Sequence, residues 1–491
     1  MYRKHTRRMG LCAAGAFLFM VTGCQFTDDL LSVNNPEEIQ VEALDDVKLL
    51  EVQLNGVVDA VESAYVFNLE YAQYATDEVL TGLNWEDYAR VNQRIISYLD
   101  GPTASVFELP SRGLRMGHNL AERIRGWAGE NPARDFNGDL AKALAFAGYG
   151  AVILAENMCQ AVISPDPDDP SGTVLSQLET FQAALPYLTE AVTVAQTAGD
   201  ANLANLARTG LARAYLGLGN WTEAANQADQ VTAGFQWWMT FTDVSGAQNP
   251  LQNTSHGGNF TLGIHPRFTG VHPSFDGTGF AFEDNDVIAP QTDPRIQHAV
   301  TDRTGHNGLT RLYKLYQGLR YGDYTGGTIA PSSGACPGCT GTAPGDMPLL
   351  TEYETDILLA DYTEAQHHYY EALAMQGGNE AAVLAFVNAR RAVGNQAAVA
   401  LTGQALITEL RNQRAKDLFM GGFRLPDLRR WTRFDAGNGP FAGGSYFPTG
   451  THPNAQWGSY GDWTCFPIPL SEYEGNGNLT APTDPSTPPG I

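Results

Sequence analysis

The sequence predicts a mainly α-helical protein, a scaffold of tetratricopeptide-like helical hairpins with a large loop-rich insertion and little β-structure. Three observations predict this fold class. Apolar residues recur at three- and four-residue spacing over residues 41–234, two distant segments share one hairpin pattern, and residues 235–350 are rich in Gly, Pro, Asn, Asp and aromatic residues. With 491 residues, the chain is long enough to bury a large core.

Helical periodicity begins after residue 41 and returns in five further segments. These predicted helices lie near residues 112–128, 139–163, 175–198, 202–218 and 221–232. The last two form a hairpin, because Gly219 is suited to end one helix and Asn220 to cap the next. Small residues along both helices allow a close antiparallel approach, as in a tetratricopeptide hairpin.

A second hairpin with the same pattern follows far downstream. The break Gly-Gly-Asn at 377–379 and the restart Glu-Ala-Ala at 380–382 match the restart at 223–225. Because about 157 residues separate the two copies, they do not form a uniform array. Between the copies, residues 258–266 predict a short strand, and the tryptophans at 237 and 238 are predicted core residues.

The N-terminus has the composition of a bacterial lipoprotein leader. Residues 1–10 carry four basic and no acidic residues, and an apolar run too short to span a bilayer follows. The run ends in Val-Thr-Gly-Cys at 21–24, which is similar to a lipobox, whose cysteine is acylated. We therefore predict a lipid anchor on Cys24. The alternative is an ordinary secreted protein in which Cys24 is incidental.

These features divide the chain into five regions. We predict a leader, a lipid-anchored tether, a helical region with hairpins, a loop-rich insertion, and a last region that holds the second hairpin, the segment Asp-Leu-Arg-Arg-Trp and a Pro-rich tail. Their boundaries are 1–23, 24–40, 41–234, 235–358 and 359–491.

The net charge excludes one class of partner. The sequence has 30 Lys and Arg against 54 Asp and Glu, a net charge of −24, and removal of the four basic residues in the leader lowers it to −28. Such a surface repels nucleic-acid phosphates and anionic membranes. We therefore expect no nucleic-acid partner, and we expect the lipid on Cys24 to provide the membrane attachment.

Residues 410–434 nevertheless concentrate positive charge, with seven Lys and Arg against Asp417 and Asp427. The pattern predicts a helix ended by Gly421-Gly422, then core residues and a second segment from Pro426 to Trp431. One hypothesis is an anion-binding site. We favour a structural role, in which these basic residues pair with carboxylates of neighbouring helices, because a guanidinium can bind a carboxylate at two points.

Together with the lipobox and the hairpins, "RNQRAKDLFMGGFRLPDLRRW" at 411–431 resembles the SusD/RagB family of nutrient-uptake lipoproteins. Further landmarks occur in the family's order: residues 131–157 are similar to its first long core helix, 292–301 to its Asp-Pro-Arg landmark, and 347–365 to the segment before its last hairpin. The chain departs from the pattern with Gly-Gly-Phe at 421–423, where Glu-Gly-His is common, and with Lys-Asp at 416–417 in place of Arg-Glu.

The resemblance implies a non-catalytic protein on the outer membrane that faces the cell exterior. Such a protein captures oligosaccharides, or peptides in some relatives, and passes them to a SusC-like TonB-dependent transporter. Carbohydrates are held by aromatic faces and hydrogen-bonding side chains on loops over a rigid scaffold. Two loops fit that description, and the candidate ligand-binding residues are Asn84, Trp85, Tyr88, Phe275 and Phe280. For each aromatic residue, the alternative is packing against its own loop.

Motifs for catalysis or metal binding are missing from the sequence, and we expect no cofactor and no metal. The spacing of His256, His265 and His272 fits no zinc site, which favours solvated loop histidines. Asp-Phe-Asn-Gly-Asp at 135–139 imitates a calcium loop, but Leu140 and Phe146 replace the required Gly and Glu, so an Asp helix cap is the favoured interpretation. Two alternatives remain open, a tetratricopeptide-like envelope scaffold and a secreted glycan hydrolase that uses paired carboxylates.

Four cysteines remain after the leader and the lipidated residue are set aside. In an exported protein they are expected to form disulfides, with three possible pairings. Two of them form Cys-Pro-Gly-Cys in a Pro, Gly and Ser loop, without the helix that a redox pair needs, which favours a local loop staple. The four are Cys159, Cys336, Cys339 and Cys465.

Overall fold

The computed structural model describes residues 41–164, 172–244, 246–251, 262–269, 293–296, 298–315, 320 and 353–484. The chain divides into a short unit that ends at Gln53 and a large unit from Leu54 onward. Within the short unit, two 3₁₀ turns span Val41–Asp45 and Val47–Leu49. The Gln53 side chain donates a hydrogen bond of 2.8 Å to the Leu44 carbonyl oxygen, which ties the first turn to the helix that begins at Leu50.

Helices dominate the described residues, as the sequence predicts. The α-helices are α1 (Leu50–Tyr74), α2 (Glu86–Asn92), α3 (Gly101–Glu130), α4 (Asn137–Asn157), α5 (Gln177–Ala198), α6 (Ala201–Leu218), α7 (Trp221–Asp229), α8 (Pro266–Thr269), α9 (Tyr362–Gln376), α10 (Glu380–Val393), α11 (Gly403–Asp417), α12 (Arg424–Phe434) and α13 (Leu470–Gly475). Two further 3₁₀ turns span Ala442–Gly444 and Ala455–Trp457.

Short strands form two-stranded antiparallel sheets. The strands are β1 (Val79–Thr81), β2 (Gln160–Ile163), β3 (Thr173–Ser176), β4 (Gln236–Met239), β5 (Leu262–Ile264), β6 (His298–Thr304), β7 (Arg311–Leu315) and β8 (Ile357–Asp361). The pairs are β1 with β5, β2 with β3, β4 with β8 and β6 with β7. The strand predicted within 258–266 is confirmed as β5.

The core is a stack of consecutive antiparallel helices, α3 to α6, in which α4 is the central element. Its Ala- and Gly-rich sequence is buried over almost its whole length. Small residues permit close packing, because a Cβ atom on Gly150 would lie only 2.8 Å from the Leu114 backbone nitrogen and the Pro110 carbonyl oxygen. Among the described helices, α4 alone is long and apolar enough to cross a bilayer, yet 78% of its most apolar stretch is buried inside the protein.

Both predicted hairpins are present. Gly219 has a φ of 74° and ends α6, and the Asn220 side chain accepts a hydrogen bond of 3.3 Å from the Glu223 backbone N–H. Gly377 and Gly378, with φ values of 75° and 79°, separate α9 from α10. The two hairpins pack directly on each other, in a cluster formed by Leu216, Ala224, Ala225 and Ala372. Distant copies in sequence are therefore neighbours in the fold.

The insertion begins and ends in one small sheet. Strand β4 follows the first hairpin and β8 precedes the second, and Gln236 pairs with Asp361 at one end of the ladder. Trp237 contacts the Phe146 ring at 6.0 Å between centroids, but both tryptophans of β4 are half-buried and not fully buried core residues. A two-stranded sheet covers its side chains only in part.

A disulfide joins Cys159, just after α4, to Cys465, across 306 residues of sequence. The Cys159 backbone N–H also donates a hydrogen bond of 2.7 Å to the Phe466 carbonyl oxygen. A cross-link over so long a loop restricts the unfolded chain and so stabilises the fold. Of the pairings that the sequence allows, the structure selects this one, and Cys336 and Cys339 lie outside the described residues.

Several element boundaries differ from the sequence predictions. Helix α3 starts at Gly101, before the predicted start near residue 112, and it includes Pro110. Helix α4 ends at Asn157, before the predicted end at 163, because residues 160–163 pair as β2. Helix α11 ends at Asp417, and the chain turns through Met420 and Gly422 at φ values of 54° and 76°. The glycine pair therefore forms the turn and does not end the helix.

The predicted Asp cap at the start of α4 is wrong by position. Phe136 occupies the N-cap position and makes no side-chain capping bond. The Asp135 carboxylate accepts a hydrogen bond of 2.9 Å from the Asn137 backbone N–H, so it forms a turn just before the helix. The Asp135 carboxylate bonds a nearby backbone N–H, as a cap would, but Asp135 stands one residue before the N-cap position.

We expect Gly150→Ala to destabilise the protein by about 1–3 kcal/mol, because the new methyl group would overlap the α3 backbone, which has little room to move. Gly126→Ala is the matched control, since a Cβ atom there meets nothing within 4 Å and Ala favours the helix by about 0.5–1 kcal/mol. Urea denaturation of both variants measures the difference. Equal stabilities of the Gly150→Ala variant and the unchanged protein would contradict the close contact of α3 with α4.

Candidate functional site

An aromatic group lies where α1, β1 and α2 meet. We define it as Phe67 and Tyr71 from α1, Trp85 from the loop after β1, and Tyr88 from α2. Phe67 and Tyr71 are four residues apart and so share one helix face, with ring centroids 5.5 Å apart. Tyr88 lies 5.3 Å from Tyr71 and 5.3 Å from Trp85, edge to face in both cases. The four rings therefore form one continuous row.

The row ends in solvent. Trp85 is 56% exposed, and no other tryptophan in the described part of the chain is an exposed residue. It occupies the N-cap position of α2 without making a side-chain capping bond, so its indole is not used by the helix. Asn84 beside it is exposed, whereas Tyr88 and Tyr71 are half-buried. Exposed aromatic faces beside an amide side chain form a surface suited to a ligand with an apolar face and hydroxyl groups.

The loop that carries Trp85 is rigidly held. The Asn92 amide lies beneath it and donates a hydrogen bond of 2.7 Å to the Tyr74 carbonyl oxygen, while its own oxygen accepts one of 3.1 Å from the Thr81 backbone N–H. The Gly82 carbonyl oxygen accepts a further bond of 3.0 Å from the Asn307 backbone N–H. One buried side chain thus joins α1, β1 and α2, which fixes the position of the exposed ring.

The tyrosine hydroxyls of the site are neutral. The Tyr88 hydroxyl donates a hydrogen bond of 3.1 Å to the Tyr71 hydroxyl oxygen. Burial, chiefly, raises the pKa of both tyrosines above their ordinary value. Both groups therefore keep their protons at physiological pH and can take part in hydrogen bonds as donors and acceptors.

Acidic residues follow the aromatic group along the chain. Glu86 and Asp87 lie in the first turn of α2, where the helix dipole favours negative charge. Arg90 bonds Glu86 at 2.8 Å and also pairs with the buried Asp100. The surface next to Trp85 therefore carries carboxylates whose charge is only partly balanced, and it disfavours anionic ligands.

Five residues were predicted from the sequence to bind ligand. Three of them, Asn84, Trp85 and Tyr88, lie at the aromatic group. Phe275 and Phe280 lie outside the described residues, as do Cys24, His256 and His272. Sequence reasoning missed Phe67 and Tyr71, because aromatic residues within a long apolar helix look like core. Their four-residue spacing on α1 was the available signal.

His265 is buried, with 2% of its surface exposed, which overturns its interpretation as a solvated loop histidine. It follows β5, whose pairing with β1 draws it inside, and its Nε2 lies 3.3 Å from the Tyr460 hydroxyl oxygen. Burial lowers its pKa to about 3, so it is uncharged. Among the residues that the structure describes, no group of His, Cys, Asp and Glu is arranged to hold a metal ion.

Beneath the site, the basic stretch forms buried ion pairs, as predicted. Arg424 bonds both carboxylate oxygens of Asp77, at 2.6 and 2.8 Å. Arg414 and Arg430 share Asp427, at 2.7 and 2.9 Å. These side chains are almost fully buried. The hypothesis of an anion-binding site loses its basis for these residues, because their charges are already neutralised inside the protein.

Other parts of the stretch bind further segments. Arg430 and the Trp431 indole N–H both donate to the Glu371 carboxylate on α9, at 2.8 and 2.7 Å. Arg429 instead donates to backbone carbonyl oxygens at the C-terminal end of α4, including that of Glu156 at 2.7 Å, and burial lowers its pKa to about 9. The role of each arginine depends on which helix it faces.

The landmark Asp-Pro-Arg joins the same interior. Arg295 pairs with Asp293 at 2.6 Å and reaches Asp417 of α11 at 3.2 Å. His367 of α9 and Arg390 of α10 also contact Asp417, each at 2.7 Å. These partners hold the pKa of the Asp417 carboxyl well below its ordinary range, against the opposing effect of burial. Segments that are far apart in sequence therefore meet at one carboxylate.

This fold is shared with solved structures of one superfamily. A SusD-like carbohydrate binding protein from Bacteroides fragilis NCTC 9343 has a TM-score of 0.59 at 13% identity, over 88% of this chain and 99% of its own. A SusD superfamily protein from Parabacteroides distasonis ATCC 8503 has a TM-score of 0.58 at 14% identity, over 87% and 98%. One from Bacteroides vulgatus ATCC 8482 has a TM-score of 0.54 at 17% identity, over 86% and 97%.

The class defined by these comparisons is the SusD superfamily fold, and the chain has that fold over nearly the whole length of these neighbours. The resemblance stated from the sequence is confirmed at the level of the fold. No protein-family model matches the sequence, and no curated protein matches it.

We expect Glu78→Gln to flatten the pH dependence of stability between about pH 5 and pH 8. Burial, aided by the charges of Asp77 and Asp427, raises the pKa of Glu78 from 4.5 to about 8. The folded protein thus keeps a proton that the unfolded chain releases, so this contribution to stability is present at acidic pH and is lost as the pH rises toward 8. The slope is roughly 1.4 kcal/mol per pH unit at most.

Gln cannot ionise, and its oxygen can keep the bond that Glu78 accepts from the Met420 backbone N–H at 3.1 Å. Urea denaturation at several pH values measures the slope, with Glu474→Gln at an exposed position as the control. Parallel profiles for the Glu78→Gln variant and the unchanged protein would show that Glu78 is already ionised in the fold.

Proposed function

We propose that this protein is a cell-surface substrate-binding lipoprotein of the SusD/RagB type. It captures oligosaccharides at the aromatic group and delivers them to a SusC-like TonB-dependent transporter in the outer membrane. The observation that carries the proposal is the exposed Trp85, which lies at the end of a continuous row of rings on a rigid loop.

Neutral sugars match the chemistry of this surface. The axial C–H faces of a pyranose ring pack on an indole face, and its hydroxyls need neutral donors and acceptors, which Asn84 and the protonated tyrosines supply. The carboxylates of Glu86 and Asp87 add acceptors. A carboxylate-bearing sugar would be repelled by these same residues.

The fold supports the same proposal. Similar structures from Bacteroides fragilis and Bacteroides vulgatus are described as SusD-like carbohydrate binding proteins. In this chain, the leader and the lipobox at 21–24 support anchoring through Cys24 on the outer membrane, with the protein facing the exterior. A negative surface needs that lipid for attachment, since it has no affinity for anionic headgroups.

Binding without catalysis fits the use of the buried carboxylates. Glu371 and Asp427 are engaged in bidentate or shared hydrogen bonds with arginines, which leave no oxygen poised for proton transfer to a ligand. The scaffold hypothesis receives less support. The two hairpins pack on each other, and the long insertion between β4 and β8 separates them in sequence. They do not form a run of repeats that would present a long groove.

We expect Trp85→Ala to reduce oligosaccharide binding at least tenfold while leaving the melting temperature nearly unchanged, because the side chain is 56% exposed and its ring packs on the half-buried Tyr88, not on a core residue. Isothermal titration against malto-, xylo- and manno-oligosaccharides measures the affinity of the unchanged protein and of the variant. Tyr353→Ala removes another exposed aromatic side chain and is the control. A large fall in melting temperature in the Trp85→Ala variant would show that the ring is structural.

We expect a large β-barrel transporter to copurify with the protein in near-equal amount when the lipoprotein is extracted from its own membranes in mild detergent. Delivery requires a direct interface between the two proteins, and a stable interface survives extraction in mild detergent. Mass spectrometry of the purified complex identifies the partner. Recovery of several soluble envelope proteins and no barrel would favour the scaffold hypothesis and contradict the delivery step.

A further inference from the structure

A cleft of 540 Å³ runs along α3 and is completed by the end of α4, the β2–β3 hairpin and α13. We call it the α3 cleft. It shares no lining residue with the aromatic group, and its volume is that of a site for a small molecule. The proposed oligosaccharide function does not involve it.

The cleft has an apolar floor and a charged wall. Phe107, Leu114 and Leu154 lie buried at its base. The wall is one face of α3, where polar side chains recur at three- and four-residue spacing and point the same way. They are Glu108, Arg112, Arg115 and His118.

The two arginines of this wall are unusual in the protein. Arg112 and Arg115 are exposed, and neither makes a hydrogen bond or an ion pair with any residue that the structure describes. By contrast, Arg125 on the same helix pairs with Glu122 and with Glu190. In a chain of net charge −24, two neighbouring cations that no carboxylate of the described residues pairs with mark a place where an anionic group is favoured.

Two carboxylates also line the cleft, the nearer one helical turn before Arg112. Glu108 on α3 accepts a hydrogen bond of 2.8 Å from the Ser471 hydroxyl of α13, which brings α13 against the wall. Glu472 follows on α13, and its pKa is raised, first by burial and then by the negative charge of Glu108. A cation bound between these carboxylates would relieve that repulsion.

The cleft therefore carries both negative and positive side chains, and the distance between them along α3 can be stated. From Glu108 to Arg115 the helix rises about 10 Å, at 1.5 Å per residue. An extended chain of three residues spans about the same length, at roughly 3.3–3.6 Å per residue. A free tripeptide carries an ammonium group at one end and a carboxylate at the other.

We propose that the α3 cleft binds a short zwitterionic peptide. Its ammonium group lies at Glu108 and Glu472, its carboxylate lies at Arg112 and Arg115, and its side chains cover the apolar floor. An acidic sugar would satisfy the arginines alone and leave the carboxylate end without a partner. The carboxylate of a peptide and the carboxylate of an acidic sugar could both bind the two arginines, so the test compares these two ligands.

Isothermal titration of the full-length protein in mild detergent with trialanine tests the proposal. We expect saturable binding at one site, weakened at least tenfold when the peptide is N-acetylated or when its carboxylate is converted to an amide. Digalacturonic acid, the probe for an acidic sugar, should bind at least tenfold more weakly than trialanine. Trp85→Ala should leave trialanine binding unchanged, which separates this site from the proposed oligosaccharide site.

Substitutions at the charged residues of the cleft test where each end of the peptide binds. Arg112→Gln and Arg115→Gln should each weaken trialanine binding, and Glu472→Gln should remove the preference for a free ammonium group. Arg134→Gln changes an exposed arginine outside the cleft and is the matched control. All four positions lie at or near the surface, and unchanged melting temperatures would confirm intact folding.

The proposal is overturned by absence of trialanine binding, by equal binding of the N-acetylated peptide, or by full binding in the Arg112→Gln, Arg115→Gln double variant. Digalacturonic acid that binds as tightly as trialanine and depends on the same arginines would assign the cleft to acidic sugars. Loss of peptide binding in the Trp85→Ala variant would place the peptide at the aromatic group.

Discussion

The ion pair between Arg424 and Asp77 is the contact on which the rest of the structure depends. Its partners are 347 residues apart in sequence, and both are buried. Removing two charges from water costs several kcal/mol, and the cost is recovered only when geometry and hydrogen bonding are good. Asp77 meets that condition, because Arg267 also binds it at 2.9 Å. The segment between α1 and β1 and the start of α12 are thus held in one arrangement, since any other would leave a buried charge unpaired.

The same contact supports the candidate site. Asp77 and Glu78 connect α1 to β1, so a pair that fixes Asp77 also fixes the strand before the Trp85 loop. On the other side, the Tyr65 hydroxyl donates a hydrogen bond of 2.6 Å to the Gly421 carbonyl oxygen, which places α1 against the turn of the basic stretch. An exposed aromatic surface keeps its shape only if the backbone beneath it is rigid. The basic stretch, for which an anion-binding site was one hypothesis, therefore supports the backbone beneath the candidate site.

Positive charge has two different environments in this acidic protein. Most of the arginines in the basic stretch are inside, where carboxylates or backbone carbonyls surround them. Arg112 and Arg115 are outside, on the wall of a cleft. The aromatic group, in contrast, is edged by carboxylates. These surfaces differ in chemistry, so the ligands that we propose for them differ as well: neutral rings with hydroxyl groups at the aromatic group, and a molecule with separated charges at the α3 cleft.

The sequence by itself determined the helical class, the two hairpins and the structural role of the basic stretch, because periodicity, glycine breaks and charge are local properties of a chain. The ligand-binding role of Asn84, Trp85 and Tyr88 stays a prediction. Only the tertiary structure decided which carboxylate each arginine meets, the pairing of Cys159 with Cys465, the burial of His265 and the place of Phe67 and Tyr71 beside Trp85. Each of these depends on contacts between segments far apart in sequence. Local pattern carries no information about such contacts, since they are selected by the packing of the whole core.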